Sequence, residues 1–288
     1  MSAMPVAATD RAPTLTTAAC ATIAPTVGWA EIRTIVPLVG SAVLIAAFAL
    51  IESRHHAPLV PLRLLRSRTL AGANAVTVFV GTVGVGVPFV LTLYAQQVLG
   101  YSALKFGISS VVLAIAATVG AVTGQAAVLK AGFRSVATTG MALMAAGSLV
   151  LTRVSVPGSY FPVIFFGLLL CGVGIGLAFV TSTVAALAGV ADHESGLASG
   201  LSNTALQIGS ALGVAIVATV AVSRSHDYQA TNAHPNQAVA LTEGFQSAFV
   251  ACAVLAAIGM ALALLLLGRP RKAARELPEP VLAVSASD

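Results

Sequence analysis

Seven long apolar stretches of this 288-residue chain contain no Asp, Glu, Lys or Arg. An ion at the centre of a bilayer costs a few kcal/mol, so uncharged apolar stretches indicate where a chain can cross a membrane. Each stretch can supply the roughly 17 to 25 residues that a helix needs to cross about 30 Å of hydrocarbon. We therefore predict seven transmembrane helices, within residues 34–51, 69–104, 106–129, 135–152, 154–191, 195–223 and 244–268.

The composition excludes an ordinary water-soluble domain. Hydrophobic residues make up 57% of the chain and charged residues 9%, and the mean hydropathy is +0.94. A soluble domain has about 25% charged residues, so much of this apolar surface must face lipid. The stretches lack the period-two alternation of membrane β-strands and are longer than such strands. We predict an all-α polytopic protein of the plasma (inner) membrane, with the lipid bilayer as its first partner.

The basic residues predict the orientation in the membrane. They lie in short clusters between apolar stretches, which argues against a nucleic-acid partner although the formal net charge is +5. Ten of the 15 Lys and Arg residues fall on one side of the seven predicted helices. That side should be cytoplasmic, which places the C-terminus inside and the N-terminus outside. A chain that starts outside without an export signal is expected to be the later portion of a longer protein.

Four regions follow from this division. Residues 1–30 are expected to be a disordered tail rich in Thr, Ala and Pro, and residues 31–68 a linker transmembrane helix with a basic cytoplasmic loop. Residues 69–268 form the predicted six-helix bundle, and residues 269–288 a cytoplasmic tail. Because three is odd, the second three helices of the bundle enter from the opposite face, which predicts two inverted three-helix repeats. Residues 224–243 are polar and are expected to form an extramembrane loop.

Glycines four residues apart predict close contacts between helices. Residues with this spacing share one helix face, and two glycines there let a neighbouring backbone approach. A gating role, in which smooth faces slide past one another, is the alternative interpretation. The pairs are Gly120 and Gly124, Gly172 and Gly176, Gly196 and Gly200, and Gly209 and Gly213.

Polar residues form narrow stripes on two of the predicted helices. On the first helix of the bundle, Asn74 and Thr77 share a face with Pro88, which is expected to kink this helix. On the fifth helix of the bundle, Asn203 and Gln207 continue a face that begins at Ser199. Such stripes either form interhelical hydrogen bonds or line a substrate cavity, and the two uses are compatible.

No group in the predicted spans suggests catalysis. Neither an acidic residue nor a histidine lies within them, so we expect no enzyme activity, no metal site and no cofactor. Proton coupling cannot be assigned to this chain, because it needs an intramembrane group that changes its protonation state. Cys20, Cys171 and Cys252 have no metal-binding spacing, and the last two are expected to be small packing residues.

Three segments resemble the fourteen-helix drug:proton antiporters of the major facilitator superfamily. These segments are PLRLLRSR (61–68), YAQQVLGYS (94–102) and GLASGLSNT (196–204). The resemblance covers about residues 28–268 and implies the last seven of fourteen helices, namely one linker helix and the complete C-terminal six-helix bundle. The odd number of helices and the exterior N-terminus then have one explanation.

The resemblance also implies roles for individual residues. In that family, the first and second helices of each triple face the central cavity. A basic loop motif on the cytoplasmic side is implied for Lys130, Gly132 and Arg134, with Leu129 where the family has an acid; fixing topology is the alternative role of the two basic residues. The stripes and the resemblance together give eight predicted cavity-lining residues, which are Asn74, Thr77, Tyr94, Gln97, Gln125, Thr181, Asn203 and Gln207.

Two functions remain open at this point. The first is that of a transporter, the C-terminal part of a multidrug efflux antiporter that moves small lipophilic or cationic compounds by alternating access. Its partners would be the small-molecule substrate and either a missing N-terminal half or a second copy of the chain. The alternative is a truncated membrane protein that does not transport and that associates with a full transporter or regulates it.

Overall fold

The structure is a computed structural model. It describes residues 68–155, 163–188, 190–191, 194–231 and 236–267, together with isolated helical positions between residues 36 and 50. The predicted tails at residues 1–30 and 269–288, and the basic loop of the linker region, lie outside the described residues.

The described part of the chain is helical and has no strand, which confirms the predicted all-α class. Its helices are α1 (Arg68–Gln97), α2 (Ala103–Ser109), α3 (Val111–Leu151), α4 (Phe165–Leu187), α5 (Ser195–Thr231) and α6 (Gln237–Leu266). Five helical segments are long and apolar enough to cross a membrane, and the longest of them, Ala103–Leu151, is 49 residues long. This segment is about twice as long as one crossing requires.

The helical ladder of α3 is interrupted at Gly132. This residue has φ 79° and ψ 163°, a conformation that is essentially restricted to glycine. The flanking halves, residues 111–131 (α3a) and 133–151 (α3b), are each long enough to span the hydrocarbon. The connection predicted at residues 130–134 is therefore a turn centred on one buried glycine.

Contacts with α4 show that α3a and α3b run in opposite directions. Residue numbers rise together along α3a and α4, whereas they fall along α3b as they rise along α4. The contact pairs are Ala116–Gly172 and Gly124–Leu177 for α3a, and Gly140–Ala178 and Leu151–Gly167 for α3b. The chain thus reverses at Gly132, and α3 supplies two crossings. Together with α1, α4, α5 and α6, they give six crossings within the described residues.

Helices α1 and α4 each pack against two helices in the same pattern. Helix α4 is parallel to α3a and antiparallel to α3b. Helix α1 is parallel to α5 and antiparallel to α6, since Gly72 lies against Leu266 whereas Phe79 lies against Gly259. The two central helices meet where Gly84 approaches Ile175. The sequence-based inverted repeat stays a prediction, and this packing pattern is the one that such a repeat would produce.

Three of the four predicted glycine pairs form close helix contacts. A methyl group added to Gly120, Gly176, Gly209 or Gly213 would collide with a backbone carbonyl of the neighbouring helix. Gly196 and Gly200 have no atom of another helix near the position of a Cβ atom. The packing prediction is therefore wrong for this pair within the described bundle.

The polar segment after α5 is shorter than predicted. Helix α5 continues to Thr231 and α6 begins at Gln237, so most of residues 224–243 are helical rather than a loop. Asn236 caps α6, with its side-chain oxygen accepting a hydrogen bond from the backbone N–H of Ala238 at 3.0 Å. Both helices thus extend beyond their uncharged segments.

Candidate functional site

The contact between α1 and α5 is a seam of small residues. Gly209 lies against the backbone of Val78 and Gly213 against the backbone of Thr82. The contacting residues advance together along both helices, so the helices are parallel and their backbones meet directly. In lipid, such close approach gives the packing that holds helices together. The seam is closed at its centre.

One cleft opens at the N-terminal end of this seam, between α1, α4 and α5. We call it the α4 cleft; its volume is about 110 Å³. Two predicted cavity residues, Thr77 and Asn203, lie on its wall. The complete lining is Thr77, Phe179, Thr183, Leu187, Ser199, Ser202, Asn203 and Leu206.

A predicted polar residue also closes the seam beside this cleft. Asn74 on α1 accepts a hydrogen bond at 2.8 Å from the hydroxyl of Ser202 on α5. Thr77 donates its hydroxyl hydrogen to the carbonyl of Ala73 in its own helix, at 2.9 Å. The polar stripe of α1 therefore has both of the uses considered for it, an interhelical bond and the wall of a cleft.

A larger cleft opens at the other end of the seam, between α1, α5 and α6. We call it the α6 cleft; its volume is about 340 Å³, within the range of small-molecule sites. Aromatic and aliphatic side chains form most of its wall, with a few amide, hydroxyl and imidazole groups. The lining is Phe89, Leu93, Gln97, Ala218, Ala221, Val222, Ser225, His226, Gln229, Leu241 and Phe245.

The two clefts are separated by the closed centre of the seam. Their facing edges on α1 are Thr77 and Phe89, 12 residues apart, which corresponds to about 18 Å at 1.5 Å per residue. The closed centre of the seam thus lies between a cleft towards one end of the bundle and a cleft towards the other.

Two of the predicted cavity residues are buried inside the bundle. The side chain of Tyr94 is 1% exposed, and its hydroxyl donates a hydrogen bond to the carbonyl of Ser155 at 2.9 Å. Thr181 is fully buried, and its hydroxyl donates to the carbonyl of Leu177 at 2.6 Å. These hydroxyls satisfy backbone carbonyls, which is the usual arrangement for polar groups away from water.

The other predicted site residues lie apart from the clefts. The side chains of Gln125 and Gln207 are exposed on α3a and α5. Lys130 and Arg134 flank the turn at Gly132 and are not among the residues that line the α4 cleft or the α6 cleft. Helix α1 continues through Pro88, so the kink at this residue stays a prediction.

A buried clamp holds the connection between α3 and α4 against α1 and α6. Besides the hydrogen bond from Tyr94 to Ser155, the amide of Gln246 on α6 donates to the carbonyl of Val154 at 2.6 Å. The ring of Phe245 packs edge-on against Tyr94, with 6.2 Å between the ring centroids. Tyr94 therefore stabilises this end of the bundle.

The α4 cleft and the α6 cleft are lined by residues without a formal charge. Among the described residues, no Asp, Glu, Lys or Arg lines either cleft, and no group of three His, Cys, Asp or Glu side chains could hold a metal ion. Cys171 and Cys252 are free and buried, which confirms their predicted packing role. The clefts offer apolar contact and neutral hydrogen bonding.

Sequence reasoning missed most of the α6 cleft. Of its lining, only Gln97 was predicted, because the residues from α5 and α6 were assigned to packing or to a loop. A signal was present in the spacing of Ala218, Ala221, Val222 and Ser225, a small-residue face that leaves space beside it.

Comparison with protein families identifies the chain. A family model described as Major Facilitator Superfamily matches residues 11–214, which is well over half of the sequence. The chain belongs to the major facilitator superfamily. Members of this superfamily are generally carriers and not enzymes, and the apolar helices agree with a multi-pass membrane protein.

Several curated proteins of this superfamily resemble the chain. A puromycin resistance protein from Streptomyces alboniger is 32% identical over 65% of this chain and 38% of its own length. A tetracenomycin C resistance and export protein from Streptomyces glaucescens is 30% identical over 65% of this chain and 35% of its own length. A multidrug transporter protein from Bacillus subtilis is 26% identical over 63% of this chain and 33% of its own length. The chain therefore spans little more than a third of the length of these relatives.

Proposed function

We propose that this chain is the C-terminal bundle of a multidrug efflux antiporter that exports small lipophilic or cationic compounds by alternating access. The observation that carries the proposal is the α1–α5 seam, which is closed at its centre and has one cleft at each end. A carrier needs sites that are reachable from opposite sides without a continuous pore. Resistance and export proteins among the relatives support the substrate class.

The α6 cleft suits a lipophilic compound. Its volume of about 340 Å³ accommodates a small drug-sized molecule, and Phe89, Leu93 and Phe245 supply the apolar contact. Gln97 and Gln229 would hydrogen-bond polar groups of the compound. Aromatic faces also attract organic cations, so a positive charge on the compound is compatible with this site.

The packing of the bundle supports the mechanism. The common arrangement around α1 and α4 fits two inverted three-helix units, and such units underlie alternating access in many transporters. The exposed Gly196 and Gly200 face lies beside the α4 cleft and suits contact with another bundle. That bundle would be an N-terminal half or a second copy of the chain, and the orientation would place the C-terminus in the cytoplasm.

Accumulation of ethidium, a fluorescent lipophilic cation, in bacterial cells tests this proposal. If the second bundle is another copy of the chain, cells that express the chain alone should accumulate less dye than cells without it. Leu93→Trp fills the α6 cleft and should reduce efflux about tenfold, equivalent to about 1.4 kcal/mol of lost binding. Val250→Trp is the matched control, because Val250 is 46% exposed on α6 and Trp there leaves both clefts open.

Co-expression with a full-length relative tests the alternative function, that of a non-transporting regulator. A regulator would leave dye accumulation unchanged when expressed alone and would change the activity of the co-expressed transporter. This result would overturn transport by two copies of the chain and would favour the regulator. Efflux by the chain alone that is about tenfold weaker in Leu93→Trp and retained in Val250→Trp would support transport by a complex of this chain with itself.

A further inference from the structure

The ends of α5 and α6 extend beyond the hydrocarbon region together. The uncharged segment of α5 ends at Ser223, but the helix continues to Thr231, about 12 Å further at 1.5 Å per residue. The uncharged segment of α6 starts at Gly244, and the helix begins earlier, at Gln237. These helix ends are therefore at the level of the lipid headgroups, which lie just outside the hydrocarbon core.

A third cleft lies between these projecting ends. We call it the charged cleft; its volume is about 370 Å³, and it lies on the face of α5 opposite the α6 cleft. On α5 its residues have helical spacing, and on α6 they are four apart, so each helix presents one continuous face. The lining is Arg224, Asp227, Tyr228, Thr231, Glu243 and Ser247.

The cleft combines one cation with two anions. Among the described residues, Arg224, Asp227 and Glu243 form no ion pair with each other or with another side chain. The α5 and α6 backbones are held close by the contact of Gly244 with Ala221. The unpaired charges are thus fixed on two facing helices, with room for a ligand between them.

We propose that the charged cleft binds the headgroup of a zwitterionic phospholipid with a primary ammonium, such as phosphatidylethanolamine. The guanidinium of Arg224 would bind the phosphate through its fork of N–H donors. The carboxylates of Asp227 and Glu243 would bind the ammonium, and the hydroxyl of Ser247 would donate to a phosphate oxygen. One positive and two negative groups match a ligand that carries both signs of charge.

Other lipid headgroups fit the cleft less well. A phosphatidylglycerol headgroup carries only negative charge and would offer the two carboxylates no cation. The quaternary ammonium of phosphatidylcholine has no N–H to donate to a carboxylate. A metal ion is disfavoured because the guanidinium of Arg224 lines the same cleft. The lipid tails would lie along the apolar surfaces of the two helices below the cleft.

Native mass spectrometry of the full chain tests this proposal. The protein is reconstituted with equal amounts of phosphatidylethanolamine, phosphatidylglycerol and phosphatidylcholine, released in mild detergent, and the retained lipids are counted. Wild type should retain phosphatidylethanolamine preferentially. Arg224→Gln and Glu243→Gln should each reduce this retention about tenfold, the effect of losing one hydrogen bond to a charged group.

Two control variants separate specific binding from a general charge effect. Lys105→Gln removes a positive charge from the same end of the bundle but outside the cleft, and it should retain the lipid like wild type. Arg224→Lys keeps the charge and should retain more lipid than Arg224→Gln. Equal retention of the three lipids, or equal retention by Arg224→Gln and Lys105→Gln, would overturn the proposal. Because the substituted side chains are exposed, the fold should be preserved, which circular dichroism checks.

Discussion

The hydroxyl of Ser202 on α5 lies 2.8 Å from the side-chain oxygen of Asn74 on α1 and donates a hydrogen bond to it. This bond joins two parallel helices at the rim of the α4 cleft. The residues are 128 positions apart in the sequence, so the bond fixes a long-range contact. It closes one end of the seam whose other end opens into the α6 cleft.

Removing this bond should weaken the α1–α5 contact. For Asn74→Ala, Ser202→Ala and the double variant, we expect a coupling energy of about 0.6 kcal/mol, the average for interhelical hydrogen bonds in membranes, and no more than about 1.7 kcal/mol. The measurement is the free energy of unfolding of each variant in mixed micelles. Thr204→Ala is the control, because the Thr204 hydroxyl donates to Gly200 within its own helix. Full additivity of the Asn74 and Ser202 effects would show that the bond contributes nothing.

Adding one methyl group to the seam should be costly. Gly209→Ala places a Cβ atom against the carbonyl of Val78, and we expect a loss of about 1 to 3 kcal/mol of stability, the usual cost of overpacking. Gly200→Ala is a matched control on the same helix, where the added methyl group meets no other atom. This control should be neutral or should stabilise the helix by up to about 1 kcal/mol. Thermal unfolding of both variants gives the comparison, and equal losses would contradict the described seam.

The chain reversal at Gly132 should depend on glycine. Gly132→Ala forces a side chain into a backbone conformation with φ 79°, which costs about 1 to 3 kcal/mol. Gly107→Ala, in α2 and without close neighbours, should have little effect. Protease sensitivity and unfolding free energy in detergent measure the difference. A Gly132→Ala protein as stable as wild type would argue against the turn.

Two hydrogen bonds should each contribute to the stability of the clamp on the α3–α4 connection. Tyr94→Phe removes the bond to Ser155 but keeps the packing against Phe245, so we expect a loss of about 1 kcal/mol. Gln246→Leu removes the bond to Val154 and should cost about as much. The measurement is hydrogen exchange of the backbone amides of residues 152–155, which should become faster when the connection is held less tightly. Unchanged exchange in the double variant would rule out a clamp at these two bonds.

Charge placement predicted the helical crossings well because lipid leaves a chain few alternatives. An uncharged apolar segment in a membrane must satisfy its backbone internally, so its position predicts a helix. The limits of α5 and α6 were less predictable. Arg224 and Glu243 mark the ends of the hydrocarbon segments but not the ends of the helices, which continue where water or headgroups solvate polar side chains.

The site was harder to predict than the fold. Helical spacing placed Thr77 and Asn203 on polar faces, and both line the α4 cleft. It could not predict that Tyr94 is directed into the bundle, because its partner, Ser155, comes from a connection with no sequence pattern of its own. The α6 cleft requires three helices to leave a space between them, and this depends on packing that no single helix encodes.

Protection from chemical labelling tests most directly whether the α6 cleft binds the compounds proposed for export. Gln229 lines the α6 cleft and Thr231 lines the charged cleft on the opposite face of α5. Each is replaced by Cys in a chain whose three native cysteines are replaced by Ala, and labelling by a membrane-impermeant maleimide is timed with and without ethidium. We expect ethidium to slow the labelling of Gln229→Cys several-fold and to leave Thr231→Cys unchanged. Equal labelling rates at Gln229→Cys with and without ethidium would contradict binding in the α6 cleft.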